Sequence, residues 1–164
     1  KNKWFNQQHV QRLSISDFSR LCNAVIESHG FVVDDENKLN SIALMIQPRI
    51  VLTTGLWREL VVFFEGPKSY DEKALKKVWK GKTKSLLLSV VDILSHESEA
   101  SIDLLKNAMK KIAEDSGLSL GALMGPLRVV IVGSLSGPDL FLLIKTLGTK
   151  EVIKRIQFAL REIK

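Results

Sequence analysis

The sequence predicts an all-α protein built from two small helical subdomains. Apolar residues recur at i, i+3, i+4 and i+7 in one segment after another, the spacing of helices buried along one face. No run alternates with the period of two that a half-buried strand requires. A third observation divides the helices. Glu65-Gly66-Pro67-Lys68-Ser69 sets Pro and Gly among polar neighbours, a break between periodic segments. The subdomains then cover residues 13–69 and 70–164, with residues 1–12 as a lead-in.

Trp4, Phe5, Val10 and Leu13 predict a short amphipathic helix docked on the first subdomain, with His9 at its surface. Ser16 is the expected N-cap of a helix over 17–28, with Asp17 at the positive end of its dipole. Phe18, Leu21, Cys22 and Val25 form its inner face, and Gly30 ends it. Asp34 and Asp35 open the next helix, whose apolar face holds Leu39, Ile42, Leu44 and Met45. It must end near Gln47, because the residue before a proline is pushed out of the α region. Arg49 then stands exposed beside Pro48, where one role is to satisfy the last carbonyls of that helix. In LWRELVVFFEG the expected inner face is Trp57, Leu60, Val61 and Phe64, flanked by Phe63.

Beyond the break, Ser69 or Asp71 caps a helix that carries Lys73, Lys76, Lys77, Lys80, Lys82 and Lys84. Such a run is a solvated face, or a source of non-specific attraction to phosphates through Lys76, Lys77 and Lys80. Leu86, Leu87, Val90, Val91 and Leu94 mark a buried helix, with His96 in the loop after it. Ser98 is the expected cap of the next, with Ile102, Leu105, Met109 and Ile112 inside and Lys106, Lys110 and Lys111 outside. Ser116-Gly117 closes it, and Pro126 starts or kinks the helix that bears Arg128. Leu123, Leu127, Val130 and Ile131 form a stripe there, and Arg128 sits beside it. Pro138 fits the first turn of a helix with Leu140, Leu143, Ile144 and Leu147 on one face. Gly148 stops that helix, and Thr149 caps the last one.

Composition narrows the function. Hydrophobic residues make up 45% of 164 residues, enough for a core. Lys and Arg number 24 against 18 Asp and Glu, a net charge of +6 that suits a polyanionic partner. One cysteine, Cys22, excludes an intrachain disulfide and a cysteine-rich metal site. The longest apolar run, Leu86 to Leu94, is too short to span a bilayer, and no signal peptide is visible. A cytoplasmic monomer, not bound to a membrane, is therefore expected. There is no phosphate-binding P-loop, no glycine fingerprint after a strand and no nucleophile–base constellation, so no catalytic residue, cofactor site or metal site is assigned. A start at Lys1 rather than Met reads as a piece of a longer protein.

The stretch LRVVIVGSLSGPDLFLLIKTLG over 127–148, followed by Lys154-Arg155-Ile156, resembles the C-terminal signature of bacterial-type glutamyl-tRNA synthetases, class I aminoacyl-tRNA synthetases. Trp4-Phe5-Asn6 and the Pro48-Arg49-Ile50 segment extend the resemblance. Val51 stands where that family often has Lys, which thins the local basic patch. The resemblance implies a helical cage that binds the anticodon of tRNA-Glu, with 1–12 the tail of the stem-contacting region. It implies that Arg49 reaches the anticodon, and that Arg128, Gly137, Pro138 and Leu140 line a pocket for its bases, Gly137 by close backbone approach and Pro138 and Leu140 by apolar surface. Ligation of glutamate with ATP and magnesium would belong to an upstream catalytic domain of the same protein, and the two ATP-site motifs of class I synthetases do not occur here. Two other readings use the same residues: a helical RNA-binding module without sequence choice, and a helical adaptor for proteins.

Overall fold

The computed structural model describes residues 10–51, 53–96 and 101–163. Trp4, Phe5, Asn6, His9 and Ser98 lie outside the described residues. Among those described every regular element is helical. The chain divides into two compact units, Lys1–Glu65 and Gly66–Lys164.

In the first unit, helix α1 (Ile15–Ser28) packs on α2 (Glu36–Ile46), and the short α3 (Leu56–Leu60) lies against both. Ser14, not Ser16, caps α1: its hydroxyl oxygen accepts from the Asp17 N–H at 3.1 Å. The Ser14 hydroxyl also donates to the Asp17 carboxylate, which holds that carboxyl below its ordinary range. Asp35 caps α2 by accepting from the Asn37 and Lys38 N–H groups. Phe18, Cys22 and Ile26 of α1, and Ile42, Ala43 and Ile46 of α2, are buried. Leu44 is not on that face; it is 61% exposed. The Ser19 hydroxyl, itself buried, donates to Asn40 Oδ1 at 2.6 Å and ties the two helices together.

After α2 the chain tightens into a 3-10 turn at Gln47–Arg49, and Pro48 occupies its first positions without needing an N–H. A second 3-10 turn, Thr53–Gly55, leads into α3, and a third, Val61–Phe63, comes after it. The inner residues here are Leu56, Leu60, Val62 and Phe63. Trp57, Val61 and Phe64 are only half-buried: the tighter 3-10 winding after Leu60 takes Val61 and Phe64 off α-helical spacing, and Trp57, within α3, stacks on His29 instead.

The second unit opens with α4 (Glu72–Val78), capped by Asp71. The lysine-bearing segment does not continue as one helix. It breaks at Trp79, and α5 (Thr83–His96) starts afresh. Thr83, nearly buried, makes the joint: its hydroxyl accepts from the Lys80 N–H at 2.9 Å and donates to the Val78 carbonyl at 3.2 Å. His96 is the last residue of α5 rather than part of a loop. Ser101 caps α6 (Ile102–Asp115) by accepting from the Leu104 N–H. Helix α7 (Leu120–Val132) contains Pro126 in its interior and ends at Gly133. Asp139 caps α8 (Leu140–Leu147), so Pro138 lies just outside the helix it was expected to begin. Gly148, without a side chain to help, precedes α9 (Thr149–Glu162) in place of the expected Thr149 cap.

Helix α7 is the centre of this unit: α4, α5, α6 and α9 all pack on it. Leu123, Leu127, Val129, Val130 and Ile131 are wholly buried. Its C-terminal carbonyls need partners from outside the helix. Gly133 adopts φ 91°, and its carbonyl accepts from the Asp71 N–H at 2.8 Å. The Ile131 carbonyl accepts from Arg155 Nη1 at 3.1 Å; Arg155 is only 3% exposed and also binds Glu151 Oε1 at 2.8 Å.

A β-carbon at Gly133 would lie 2.9 Å from the Ser69 carbonyl oxygen and 3.0 Å from Pro67 Cβ. Gly133→Ala should therefore combine the left-handed penalty of about 1–2 kcal/mol with an overpacking cost of about 1–3 kcal/mol. At Gly117 the backbone is also left-handed, but nothing lies within 4 Å of the added atom. Gly117→Ala should cost only the first part. Urea unfolding of both variants checks the ranking; equal costs would mean that the 66–71 loop yields freely.

Candidate nucleic-acid interface

In the first unit, Arg49 closes the 3-10 turn after α2. Two anchors hold this turn. Gln47 Nε2 donates to the carbonyls of Val10 and Leu13, at 2.9 and 3.0 Å. Ile50 is buried directly after the arginine. Arg49 is not the open cation expected beside Pro48. Its Nε donates to Glu59 Oε2 at 2.7 Å, and the two side chains are 28% and 25% exposed. The partner is thus a carboxylate of α3, where the sequence suggested helix-end carbonyls. Glu59 was legible in principle, being the only acidic residue between Glu36 and Glu65.

Helix α3 is held by aromatic stacking. The Trp57 ring lies 3.9 Å from His29 at an interplanar angle of 11°, with Phe31 and Phe64 at 5.7 and 6.1 Å. His29 Nδ1 lies 2.9 Å from the Val25 carbonyl, which orients the imidazole over Trp57. This cluster fixes the register of α3 and so the position of the Glu59 carboxylate.

In the second unit the structure brings Arg128 and the Gly137-Pro138 turn together. Arg128 Nη1 donates to the Pro138 carbonyl at 2.7 Å. Gly137 lies beneath the guanidinium: a β-carbon there would stand 3.2 Å from Nη1 and 3.1 Å from Val132 Cγ1. A larger residue at 137 would have to push the Arg128 guanidinium or Val132 aside by a few tenths of an ångström. The turn is pinned elsewhere too. The Ser134 hydroxyl donates to the Ser136 carbonyl at 2.8 Å, and Asp139 Oδ1 accepts from the Leu142 N–H at 2.9 Å.

Pro138 and Leu140 are not surface residues in this arrangement. Pro138 is buried and Leu140 is 2% exposed, in the core stripe of α8. The apolar side chains left exposed nearby in sequence are Leu135 and Leu142. The reason is the cap: with Asp139 at the N-cap, Leu140 becomes the first helical residue and falls on the same face as Leu143 and Ile144.

Lys76 and Lys77 are exposed in the last turn of α4. Lys80 is exposed past the helix end, and its ammonium donates to the Lys76 carbonyl at 3.1 Å. Lys82 likewise reaches the Ser116 carbonyl at 3.1 Å. Two lysines of the run thus satisfy helix-end carbonyls while keeping their charge outward. Among the described residues no cluster of His, Cys, Asp and Glu could hold a metal ion. Burial pushes the Cys22 thiol up to about 12, so it carries no thiolate at neutral pH and is no nucleophile. No single described helix is long and apolar enough to cross a membrane.

The geometry is therefore one arginine held beside a turn in each unit, Arg49 and Arg128, with lysines at the helix ends. Comparison with known proteins agrees with that character. The glutamate–tRNA ligase of Porphyromonas gingivalis strain W83 is 31% identical over 160 residues, which is 98% of this chain and 32% of that protein. A crystal structure of a glutamate tRNA ligase from Elizabethkingia meningosepticum in complex with its amino acid superposes with TM-score 0.90 at 31% identity, covering 99% of this chain and 32% of that one. The glutamate-tRNA synthetase of Elizabethkingia anophelis gives TM-score 0.83 at 30% identity, over 97% of this chain and 31% of that one. The chain spans about a third of the length of these relatives. The family described as the anticodon binding domain matches residues 15–160, nearly the whole of the described structure, and the chain belongs to that family.

Proposed function

We propose that this chain is the tRNA-reading part of a glutamate–tRNA ligase and that its cognate RNA is tRNA-Glu. The observation that carries the reading is the anticodon-binding family match over residues 15–160, on a structure that holds an arginine against a pinned turn. Ligation would take place in a catalytic domain upstream in the same protein, which uses ATP with magnesium to activate glutamate and attaches it to the tRNA. No step of that chemistry falls to the residues described here. Their part is substrate choice.

Anticodon bases are read by splaying them out, stacking them and bonding their edges. A guanidinium suits this work through its planar fork of donors and its stacking face. Arg49 and Arg128 are the base-reading groups of this proposal, each oriented by a protein acceptor before RNA arrives. Gly137 admits the backbone close to a base. Pro138 supplies the carbonyl that aims Arg128, and Leu140 anchors the turn from the core in place of the surface role first expected of it. Lys76, Lys77 and Lys80 bind phosphates and add affinity without sequence choice.

The test is affinity for tRNA-Glu against an unrelated tRNA, with Arg49→Gln and Arg128→Ala measured beside the native chain. The native chain should prefer tRNA-Glu. Each substitution should remove about 1–3 kcal/mol of discrimination, the scale of one base-edge contact. Melting temperatures taken on the same samples separate recognition from folding. Equal loss on tRNAs with altered anticodons would make the arginines phosphate contacts instead. A chain that binds both tRNAs alike would fit the module without sequence choice.

Neutralising Lys76, Lys77 and Lys80 together should weaken binding to every RNA by the same factor. It should also flatten the dependence of affinity on salt, by about 0.7 units of logarithmic slope for each single-strand phosphate no longer neutralised. A weakening confined to tRNA-Glu would show that this face reads sequence.

A further inference from the structure

Helix α9 carries a feature that the anticodon reading does not use. Lys154, Phe158 and Arg161 succeed one another at helical spacing on one face, and Lys154 and Phe158 are exposed, as is Arg161. Phe158 is 41% exposed, a large aromatic surface to leave in water. With Gly66, Pro67, Tyr70, Glu151 and Arg155 these side chains line a cavity of about 240 Å³ within the second unit. The lining holds three cations against a single carboxylate.

Hydrogen bonds tie down two walls of this cavity. Arg155 forms one wall, bound by Glu151 Oε1 at 2.8 Å and by the Ile131 carbonyl at 3.1 Å. The 66–71 loop forms another. Its Asp71 N–H is bonded to the Gly133 carbonyl, and a β-carbon on Gly66 would touch Arg155 Cγ at 3.5 Å. The Tyr70 hydroxyl oxygen is buried and makes no hydrogen bond among the described residues. Burial, with Glu162 adding to it, raises the phenol above its ordinary range, so at neutral pH it is an intact O–H able to donate and accept. A buried hydroxyl left unmatched is a cost that native structures rarely carry without a use.

An aromatic face between two cations, beside a hydroxyl with unused bonding capacity, has the chemistry of a stacking platform for single-stranded nucleic acid. We propose that this cavity takes one nucleotide of a single-stranded RNA segment. The base stacks on Phe158, the phosphate lies between Lys154 and Arg161, and the Tyr70 side chain turns to bring its hydroxyl to the sugar or base edge. The proposal rests on the reading of this chain as tRNA-binding, and it uses none of the residues assigned to anticodon recognition.

The experiment measures fluorescence anisotropy on the 164-residue chain with two probes, a tRNA-Glu transcript and a labelled oligouridylate. Phe158→Leu keeps the apolar bulk and removes the ring. It should weaken both probes by about 5- to 150-fold, the value of one stacked base. Tyr70→Phe should weaken RNA binding yet raise the melting temperature of the free chain, because it deletes an unmatched buried hydroxyl. A merely structural tyrosine would not show that pair of effects. Lys154→Gln with Arg161→Gln should flatten the salt dependence. Unchanged affinity in both Phe158→Leu and Tyr70→Phe overturns the proposal, as does a loss seen only in the charge variant, which would leave a phosphate surface without a base site. If Arg49→Gln loses anticodon discrimination while Phe158→Leu binds as the native chain does, this inference fails and the tRNA-reading function stands. If Phe158→Leu loses oligouridylate but the native chain does not prefer tRNA-Glu, the inference stands and the anticodon reading fails.

Discussion

A helix leaves its last carbonyls without intrahelical partners, and burying that end makes the need for outside donors strict. At the end of α7 the need is met by two donors from elsewhere in the second unit. The Asp71 N–H brings in the loop that precedes α4, and the Arg155 guanidinium brings in α9. These bonds order the unit around α7, because each donor belongs to or adjoins an element that also packs on that helix. A buried arginine is an expensive donor. Taking its charge out of water costs several kcal/mol on the general scale for such groups, which is why Glu151 stands beside it. Because the Glu151 carboxylate is 30% exposed, solvent screens the pair.

The two base-reading candidates are held by other acceptors than helix-end carbonyls. Arg49 and Arg128 each donate to an acceptor of the protein, a carboxylate in one case and a backbone carbonyl in the other. A side chain held this way loses rotamer freedom on folding rather than on binding, and that raises affinity for a partner that fits the held geometry. It also narrows what will fit. The glutamate at Arg49 and the proline carbonyl at Arg128 are therefore part of the recognition chemistry in the proposed reading, though residue spacing pointed to neither as an acceptor.

Much of the architecture was readable from periodicity and punctuation. Leu86, Leu87, Val90 and Leu94 are buried as their spacing required, and Gly30 and Gly148 mark helix ends. Caps were harder. Where two serines flank a helix start, as Ser14 and Ser16 do, propensity alone does not choose between them, and the structure takes the one whose oxygen meets the Asp17 N–H. The 3-10 winding at Val61–Phe63 took Phe64 off the inner face, since a change of helical pitch leaves no mark in residue type. Arg128 and its turn were found because the motif is contiguous. Glu59 was missed as the partner of Arg49 because the contact spans two elements, and its geometry depends on stacked rings that no spacing rule encodes. Leu140 shows the limit from the other side: the resemblance implied an apolar surface for a base, and the residue lies in the core.

Cys22 has a practical consequence. It is the only thiol in the chain, it is wholly buried in the first unit, and burial holds it protonated. In the native state it is shielded from alkylating reagents, which attack through the thiolate. A cysteine introduced at an exposed site will therefore take a fluorophore or spin label without prior removal of the native one. Slow modification of Cys22 itself becomes a clock for openings of the first unit, counted separately from whatever the rest of the chain is doing.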